Sequence, residues 1–187
     1  MMATAPRTRF MFLVVALALA PMAVSAQDVS SPGPSRNSHS QPALEGIRAS
    51  RLSLPQTIEM SEQQLGGRAV QATFTPFATG GGSHEVVVLR PDGTLTRNHI
   101  DGNSKSTVGV TNEKLSSLVT SLTPQAVQGA QKTLLEVVRE ADARDPDQRV
   151  IGAAADQEDD VVTYEVTIAT KDGEETLEFD SSGKPLQ

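Results

Sequence analysis

Hydrophobic positions along this chain change twice from a helical spacing to a strand spacing, in the same order each time. Apolar residues recur every three or four positions near residues 54–65 and again near 127–141. Each stretch is followed by segments in which apolar and polar residues alternate, as in strands with one buried face. The pattern predicts an α+β fold of two small units, each a helix on a three-stranded antiparallel sheet in the order α-β-β-β.

The first predicted unit covers residues 51–107. Ser53 and Gln56 have the spacing of a capping box at the start of its helix. Gly66-Gly67 ends that helix, because glycine adopts a positive φ at low cost. The turn Pro91-Asp92-Gly93 separates two of its strands. The strands are predicted at residues 69–77, 85–90 and 94–101.

A connecting helix is predicted over residues 108–121, with Thr111 as its N-cap. The second unit follows over residues 122–187. In it, Thr123-Pro124 opens one long helix that runs to about Arg144. The strands of this unit are predicted at residues 149–155, 162–168 and 175–180.

The two units also share a sequence motif. A Glu-Val pair leads to Asp-Gly in each, and an apolar-Asp pair and a lysine follow. The first set is His84-Glu85-Val86, Asp92-Gly93, Ile100-Asp101 and Lys105, and the second is Tyr164-Glu165-Val166, Asp172-Gly173, Phe179-Asp180 and Lys184. A repeat of this length indicates that one supersecondary unit is encoded twice.

This ordered set of motifs resembles the PepSY domain over residues 53–105 and 122–187. The resemblance implies a helix-on-sheet fold, export from the cytoplasm, and a role in restraining extracytoplasmic peptidases or assisting their folding. PepSY domains bring no catalytic residues. The resemblance therefore implies a protein that is not an enzyme and that acts on a protein or peptide partner such as a peptidase. The first unit departs from the pattern at His84, where the second has Tyr164, and at Gly102-Asn103-Ser104, where Thr-Gly is usual.

The first 26 residues have the pattern of a secretory signal peptide. Arg7 and Arg9 precede the apolar run 10–20, and Val24-Ser25-Ala26 is a small-residue cleavage site. The apolar run is shorter than the ~20 residues of a membrane span, so no stable membrane anchor is expected after cleavage. Residues 27–50, rich in Ser, Pro, Asn and Gln, are predicted to be a disordered linker. The mature protein is therefore expected in the periplasm or in the medium.

Composition excludes several partners and chemistries. The formal net charge is −7, which repels nucleic acid and anionic lipid. The chain has no cysteine, and so neither a disulfide nor a thiol nucleophile. The sequence contains no complete phosphate-binding, calcium-binding or hydrolase motif, and no cofactor is expected.

The candidate metal site joins His84, His99 and Asp101. The strands that carry these residues are antiparallel around Asp92-Gly93, so His84 falls opposite residues 98–101. Two imidazoles and a carboxylate can hold a transition metal. The alternative is a pair of solvent-facing histidines at strand ends. A periplasmic small-ligand or metal-binding protein is the second hypothesis for function.

The first hypothesis is a protein-interaction module. A small antiparallel sheet covered by one helix leaves a face and at least one edge open, and an extended peptide can join such an edge as an extra strand. Glu174, Glu175 and Glu178 guard the final strand with charge, whereas the glycine-rich loop at 80–82 leaves an edge of the first unit less guarded.

Overall fold

The computed structural model of the chain describes residues 40–113, 122–159 and 161–186. Within these ranges the helices are α1 (Ser40–Ala49), α2 (Leu54–Leu65), α3 (Pro124–Gly129) and α4 (Leu134–Asp142). The strands are β1 (Arg68–Pro76), β2 (Gly82–Leu89), β3 (Leu95–Asp101), β4 (Ser106–Glu113), β5 (Arg149–Glu158), β6 (Val161–Ala169) and β7 (Glu174–Phe179). The predicted α+β class is confirmed.

The seven strands form one antiparallel sheet in the order β4-β3-β2-β1-β5-β6-β7. The structure therefore corrects the expectation of two separate three-stranded sheets. The join, called the seam below, consists of three residue pairs: Gln71–Ala154, Ala72–Ala153 and Thr73–Gly152. Two isolated sheets would each expose the backbone groups of a first strand, and the seam satisfies part of both edges at once.

Strand β4 replaces part of the predicted connecting helix. It pairs with β3 from Leu95–Glu113 to Asp101–Ser106, so the helical prediction for 108–121 is wrong over residues 108–113. Val108, Val110 and Thr111 are β-branched and Gly109 is a poor helix former, which favours a strand over a helix here. Residues 114–121 lie outside the described residues.

Helix α1 occupies the end of the predicted linker. Its apolar residues Ala43, Leu44 and Ile47 are buried, because their spacing places them on one helical face. Gly46 lets the helix lie close to β1, since a Cβ at that position would be 2.9 Å from the Pro76 Cβ. The prediction of disorder over 27–50 is thus wrong from Ser40 onward, while residues 1–39, the predicted signal peptide included, lie outside the described residues.

The long helix predicted from Thr123-Pro124 is two helices. Helix α4 has its own N-cap: Thr133 Oγ1 accepts a hydrogen bond from Glu136 N at 3.2 Å, and Glu136 Oε2 accepts one from Thr133 N at 2.7 Å. The spacing of this capping box is visible in the sequence, but the apolar stripe runs through it and favours one continuous helix. The break places Val127 of α3 and the residues of α4 in different hydrophobic clusters.

The two faces of the sheet differ. Helices α1, α2 and α4 cover one face, where the larger hydrophobic core lies. On the other face, Leu122 and Val127 form a smaller cluster with apolar residues of β1, β2 and β3. The rest of that second face is called the open face. No helix in the described part of the chain is both long enough and apolar enough to span a membrane.

Candidate functional site on the open face

The structure does not bring the candidate metal ligands together. His84 pairs with Ile100, within the window that the hairpin turn predicts. His99 pairs instead with Glu85, the residue after His84. Because successive side chains on a strand point to opposite faces, His84 lies on the helix-covered face and His99 on the open face. Among the described residues, no group of three or more metal-ligating side chains is present.

His84 is a core residue with 1% of its surface exposed. Its Nε2 lies 3.4 Å from Ser50 Oγ, and its Nδ1 lies 3.4 Å from Thr57 Oγ1. Its ring packs on Phe74 with the ring centroids 5.0 Å apart. Burial lowers the pKa of His84 to about 4, while a hydrogen bond to the Leu52 backbone acts in the opposite direction. The imidazole is therefore neutral near pH 7 and structural in role.

His99 and Asp101 have local partners. His99 Nδ1 lies 3.5 Å from Glu85 Oε2, and Glu85 also pairs with Arg97 on the open face. Asp101 Oδ1 accepts backbone hydrogen bonds from Asn103 at 2.9 Å and Ser104 at 2.8 Å. These bonds, led by that from Ser104, lower the pKa of Asp101 and hold the β3–β4 turn.

A groove opens where β1 and β5 diverge at the end of the seam, and it is called the seam groove here. Its volume is about 370 Å³. Its buried lining residues are Ala43, Ala72, Phe74, Ile151 and Ala153, and its more exposed ones are Gln71, Thr73, Pro76, Gly152, Ala154, Glu165, Thr167 and Glu174. The groove thus has an apolar floor and a polar rim.

Small residues keep the seam groove open. Ala72, Gly152 and Ala153 lie at the seam itself, where larger side chains would fill the space. At Gly152 even a Cβ would lie 3.3 Å from the Thr167 Cβ, which is a tight contact. Sequence reasoning missed the groove because it forms only when β1 and β5 pair across about 80 residues of chain.

The rim of the seam groove is acidic on the β6–β7 side. Glu165 and Glu174 line it, and Glu178 lies directly opposite Glu165 across the strand pair. Like charges in that position destabilise a sheet. Among the described residues, the ion pairs involve other glutamates, namely Glu59, Glu85 and Glu140. The rim therefore has a local excess of negative charge that a cationic group could neutralise.

The two edges of the sheet are protected unequally. The edge strand β7 carries three glutamates, and the tail after it bridges Phe179 to Pro185 and donates from Leu186 N to Glu178 O at 2.8 Å. The other edge strand, β4, has no charged residue from Ser106 to Asn112 and exposes Val108 and Val110. The charge guard predicted at the final strand is present, and the unguarded edge of β4 was missed with the strand.

Comparisons with known proteins leave the function to be argued from these residues. No protein-family model matches the chain, and no curated protein matches it significantly. A solved structure described as a "putative lipoprotein" from Clostridium difficile 630 aligns with 74% of this chain and 92% of its own, at 18% identity and a TM-score of 0.40.

Proposed function

We propose that this protein is an exported, non-enzymatic interaction module of the PepSY kind whose seam groove binds a basic, extended segment of a partner protein. The observation that carries the proposal is the groove itself, which combines an apolar floor with an acidic rim. An extracytoplasmic peptidase is the class of partner that the PepSY resemblance implies.

Lysine and arginine side chains match the groove. Each has an apolar stem that can lie on a floor such as Ala43 and Ile151, and a charged head that can reach Glu165 and Glu174. A carboxylate that receives an ammonium or guanidinium group forms a charge-assisted hydrogen bond, which is stronger than a neutral one. The net charge of −7 adds long-range attraction for a basic segment.

The shape of the groove favours a peptide over an enclosed cofactor. Small-molecule sites bury most of the ligand in a cleft. The seam groove is instead open to solvent on the side of Thr73 and Glu165, which are both exposed. A side chain of an extended segment can enter it while the backbone of that segment runs along the face.

The two halves of the chain support the PepSY interpretation by their parallel detail. Ser53 precedes α2 and Thr133 precedes α4 as N-caps, eighty positions apart. His84 and Tyr164 each contact the segment just before the corresponding helix, at Ser50 and Lys132. We interpret the halves as two PepSY-like repeats that share one sheet.

Binding is testable with a fluorescent peptide that alternates lysine with threonine, measured by anisotropy at low salt. Changing both Glu165→Gln and Glu174→Gln should weaken binding roughly tenfold, because two charge-assisted contacts are lost. Glu158→Gln removes one negative charge from an exposed position outside the groove and should have little effect. A loss in Glu158→Gln half as large, in free energy, as that of the double variant would mean that only net charge matters and would remove the groove from the proposal.

The peptidase part of the proposal needs its own measurement. The mature protein should be retained by an immobilised thermolysin-like metallopeptidase and should change its activity or its refolding yield in a dose-dependent manner. The Glu165→Gln, Glu174→Gln protein should do so less well than the Glu158→Gln protein. If no peptidase is retained and activity is untouched at saturating protein, peptidases are not the partner class.

Export is tested separately. Expression of the full chain in a bacterial host, followed by fractionation and N-terminal sequencing, should yield a periplasmic or medium fraction that begins at Gln27. Recovery of the uncleaved chain in the cytoplasm would contradict export.

A further inference from the structure

We propose that a cleft lined by Arg48, Arg51 and Arg149, called the arginine cleft here, binds the phosphate group of a small molecule. The cleft lies where the end of α1, the start of α2 and the loop between α4 and β5 meet, and its volume is about 590 Å³. It shares no lining residue with the seam groove, so its role is independent of the function proposed above.

The charge of the arginine cleft is opposite to that of the whole chain. The chain has a formal net charge of −7, whereas the three arginines of the cleft face a single lining carboxylate, Asp142. Asp145 and Asp147 belong to the neighbouring loop and line a different depression. Helices α1 and α4 end at the cleft and only α2 begins there, so helix dipoles do not supply positive charge. The positive charge therefore comes from the three guanidinium groups.

No carboxylate in the described part of the chain pairs with any of these three arginines. The basic side chains that approach carboxylates there are Arg97, His99, Lys132 and Arg139. The side chain of Arg51 is exposed and forms neither a hydrogen bond nor an ion pair with a described residue. Like charges around one cleft repel one another, and a bound anion would relieve that repulsion.

The other two arginines are held in place by backbone carbonyls. Arg48 Nη2 donates a hydrogen bond to the Asp147 carbonyl at 2.7 Å, which ties α1 to the loop after α4. Arg149 Nη1 donates to the carbonyls of Pro146 at 2.8 Å and Gln148 at 2.6 Å. A guanidinium has five N–H donors, so both retain donors for a ligand. Side chains fixed in advance lose less conformational freedom on binding, which favours affinity.

The arrangement of donors favours a phosphate group over a carboxylate. A carboxylate presents two oxygens and is satisfied by the fork of one arginine. A phosphate monoester presents three acceptor oxygens and up to two negative charges, so it can bond to several arginines at once. Ser53 and Gln56 add neutral groups to the lining. Gln56 Oε1 accepts from Ser53 N at 2.9 Å, and its Nε2 has no partner among the described residues.

Pyrophosphate is the probe that tests the site. Calorimetric titration of the protein in Tris with EDTA, at pH 7.5 and low salt, should show one binding site whose affinity falls as sodium chloride is added. Arg51→Gln should weaken binding roughly fivefold, because it removes one exposed charge contact. It should leave the fold intact, since the Arg51 side chain has no described partner to lose.

Arg90→Gln is the matched control for Arg51→Gln. It removes the same charge from an exposed arginine that does not line the cleft, and its affinity for pyrophosphate should equal that of the parent. The absence of pyrophosphate binding in the parent, or equal losses in the two variants, would overturn the proposal.

A variant that binds more tightly gives a test of opposite sign. Asp142→Asn removes the carboxylate from the cleft and keeps an oxygen that can accept from Val150 N, as Asp142 Oδ1 does at 3.1 Å. It should strengthen pyrophosphate binding about threefold, because repulsion of the ligand is lost. Glu158→Gln removes the same charge away from the cleft and should leave the affinity unchanged. If Asp142→Asn binds no more tightly than Glu158→Gln, pyrophosphate does not occupy the cleft and the proposal fails.

Two further ligands define the chemical class and its source. Citrate has a charge similar to that of pyrophosphate at pH 7.5 but carries carboxylates, and it should bind several-fold more weakly; equally tight binding would overturn the assignment to phosphate. Phosphatidylcholine vesicles that contain phosphatidic acid should leave the protein in the supernatant, because the net charge of −7 opposes approach to an anionic bilayer. Sedimentation with these vesicles that is lost in Arg51→Gln would keep the site and assign its phosphate to a lipid headgroup.

Discussion

The parts of the core beneath α2 and beneath α4 differ in composition, although each helix is followed by strands in the same order. Both helices are followed by a meander of antiparallel strands, and each packs on the first two strands of its own meander. Beneath α2 the core includes five buried polar side chains: Thr57, Ser61, His84, Thr96 and Asn98. Beneath α4 it is almost entirely aliphatic and aromatic. The spacing of apolar residues specifies the helices and strands, whereas the chemistry of the buried residues determines how stable their packing is.

His84 and Tyr164 occupy corresponding places and differ in what they can do. The Tyr164 hydroxyl donates a hydrogen bond to the Lys132 backbone carbonyl, and burial raises the pKa of that phenol to about 12. Tyr164 is therefore neutral in acid and near pH 7. Below pH 6.5, by contrast, His84 stays neutral only because burial opposes its protonation. The half that contains His84 is thus expected to be the acid-sensitive half.

The largest predicted effect tests whether the two halves unfold together. Phe179 is buried in the core on the α4 side, and Arg144 lies 4.9 Å from its ring centroid. Phe179→Ala should lower the free energy of unfolding by about 4 kcal/mol, from lost burial and the cavity left behind. Because the seam makes one sheet, the loss should appear equally in β2 and β6 amide hydrogen exchange.

The matched control is Phe77→Ala. Phe77 is 39% exposed and should cost about 1 kcal/mol or less, since surface substitutions away from the core have small effects. If Phe179→Ala lowers protection in β6 and leaves β2 unchanged, the halves fold independently and the comparison is between two domains.

The second prediction concerns the loss of folding stability at acidic pH. The pKa of His84 falls from 6.5 to about 4 on folding, so between these values the unfolded chain binds a proton that the folded one does not. Stability contributed by the neutral ring is complete above pH 6.5 and declines as the pH falls. The loss should reach about 3 kcal/mol near pH 4. Urea unfolding at pH 7.5, 6, 5 and 4 measures this slope.

His84→Leu should flatten the slope between pH 6.5 and 4, because the group that titrates is gone. His99→Gln, at the half-exposed histidine of the open face, should leave it unchanged. A parent protein with no loss of stability over this range, or one whose slope vanishes in His99→Gln, would contradict the assignment to His84.

The third prediction concerns replacing a buried polar pair beneath α2 with the kind of apolar residues found beneath α4. Asn98 Nδ2 donates to Ser61 Oγ at 3.1 Å, and Asn98 Oδ1 has no hydrogen-bond partner in the described part of the chain. Ala141 and Leu177 occupy the corresponding positions under α4. Ser61→Ala alone should lower the free energy of unfolding by about 1–2 kcal/mol, because it deprives a buried amide of a partner.

Combining Ser61→Ala with Asn98→Leu should recover that loss, and the pair should be at least as stable as the parent. Replacing both partners of a buried polar contact with apolar groups of similar shape is close to neutral or stabilising. Denaturant unfolding of the four proteins forms a double-mutant cycle. A double variant less stable than either single one would show that the polar pair is essential to the packing under α2.

Sequence patterns predicted elements better than the relations between them. Alternating or valine-rich segments located β1, β2, β3, β6 and β7 to within a few residues. The β2–β3 register near Ile100 followed from the Asp92-Gly93 turn. The seam did not follow, because pairing of β1 with β5 depends on contacts between distant segments rather than on local pattern.

The predicted grouping of His84 with His99 as metal ligands was wrong for a related reason. The strand register placed His99 within reach of His84, but a difference of one position on a strand reverses the face. The seam groove has no local sequence signal either, since small residues such as Gly152 and Ala153 show only weak strand propensity. In the region of β4, Leu115 and Leu118 recur at helical spacing and favour the connecting helix with Thr111 as its N-cap, whereas the valines and threonines before them form a strand.

The smallest predicted effect separates the two helix starts. Gln56 occupies the third position of α2, and Glu136 the third position of α4. A hydrogen bond from the Thr133 backbone lowers the pKa of Glu136, so this carboxylate stabilises α4 above its ordinary pKa and the contribution is lost as the pH falls.

Glu136→Gln places a glutamine at the third position of α4, as in α2, and should lower the free energy of unfolding by about 0.5 kcal/mol at pH 7 through loss of charge at a helix N-terminus. Gln56→Glu should gain a similar amount, and urea unfolding of both at pH 7 and pH 3 should show the differences vanish in acid. A difference that persists at pH 3 would mean that packing, rather than charge, distinguishes the two starts.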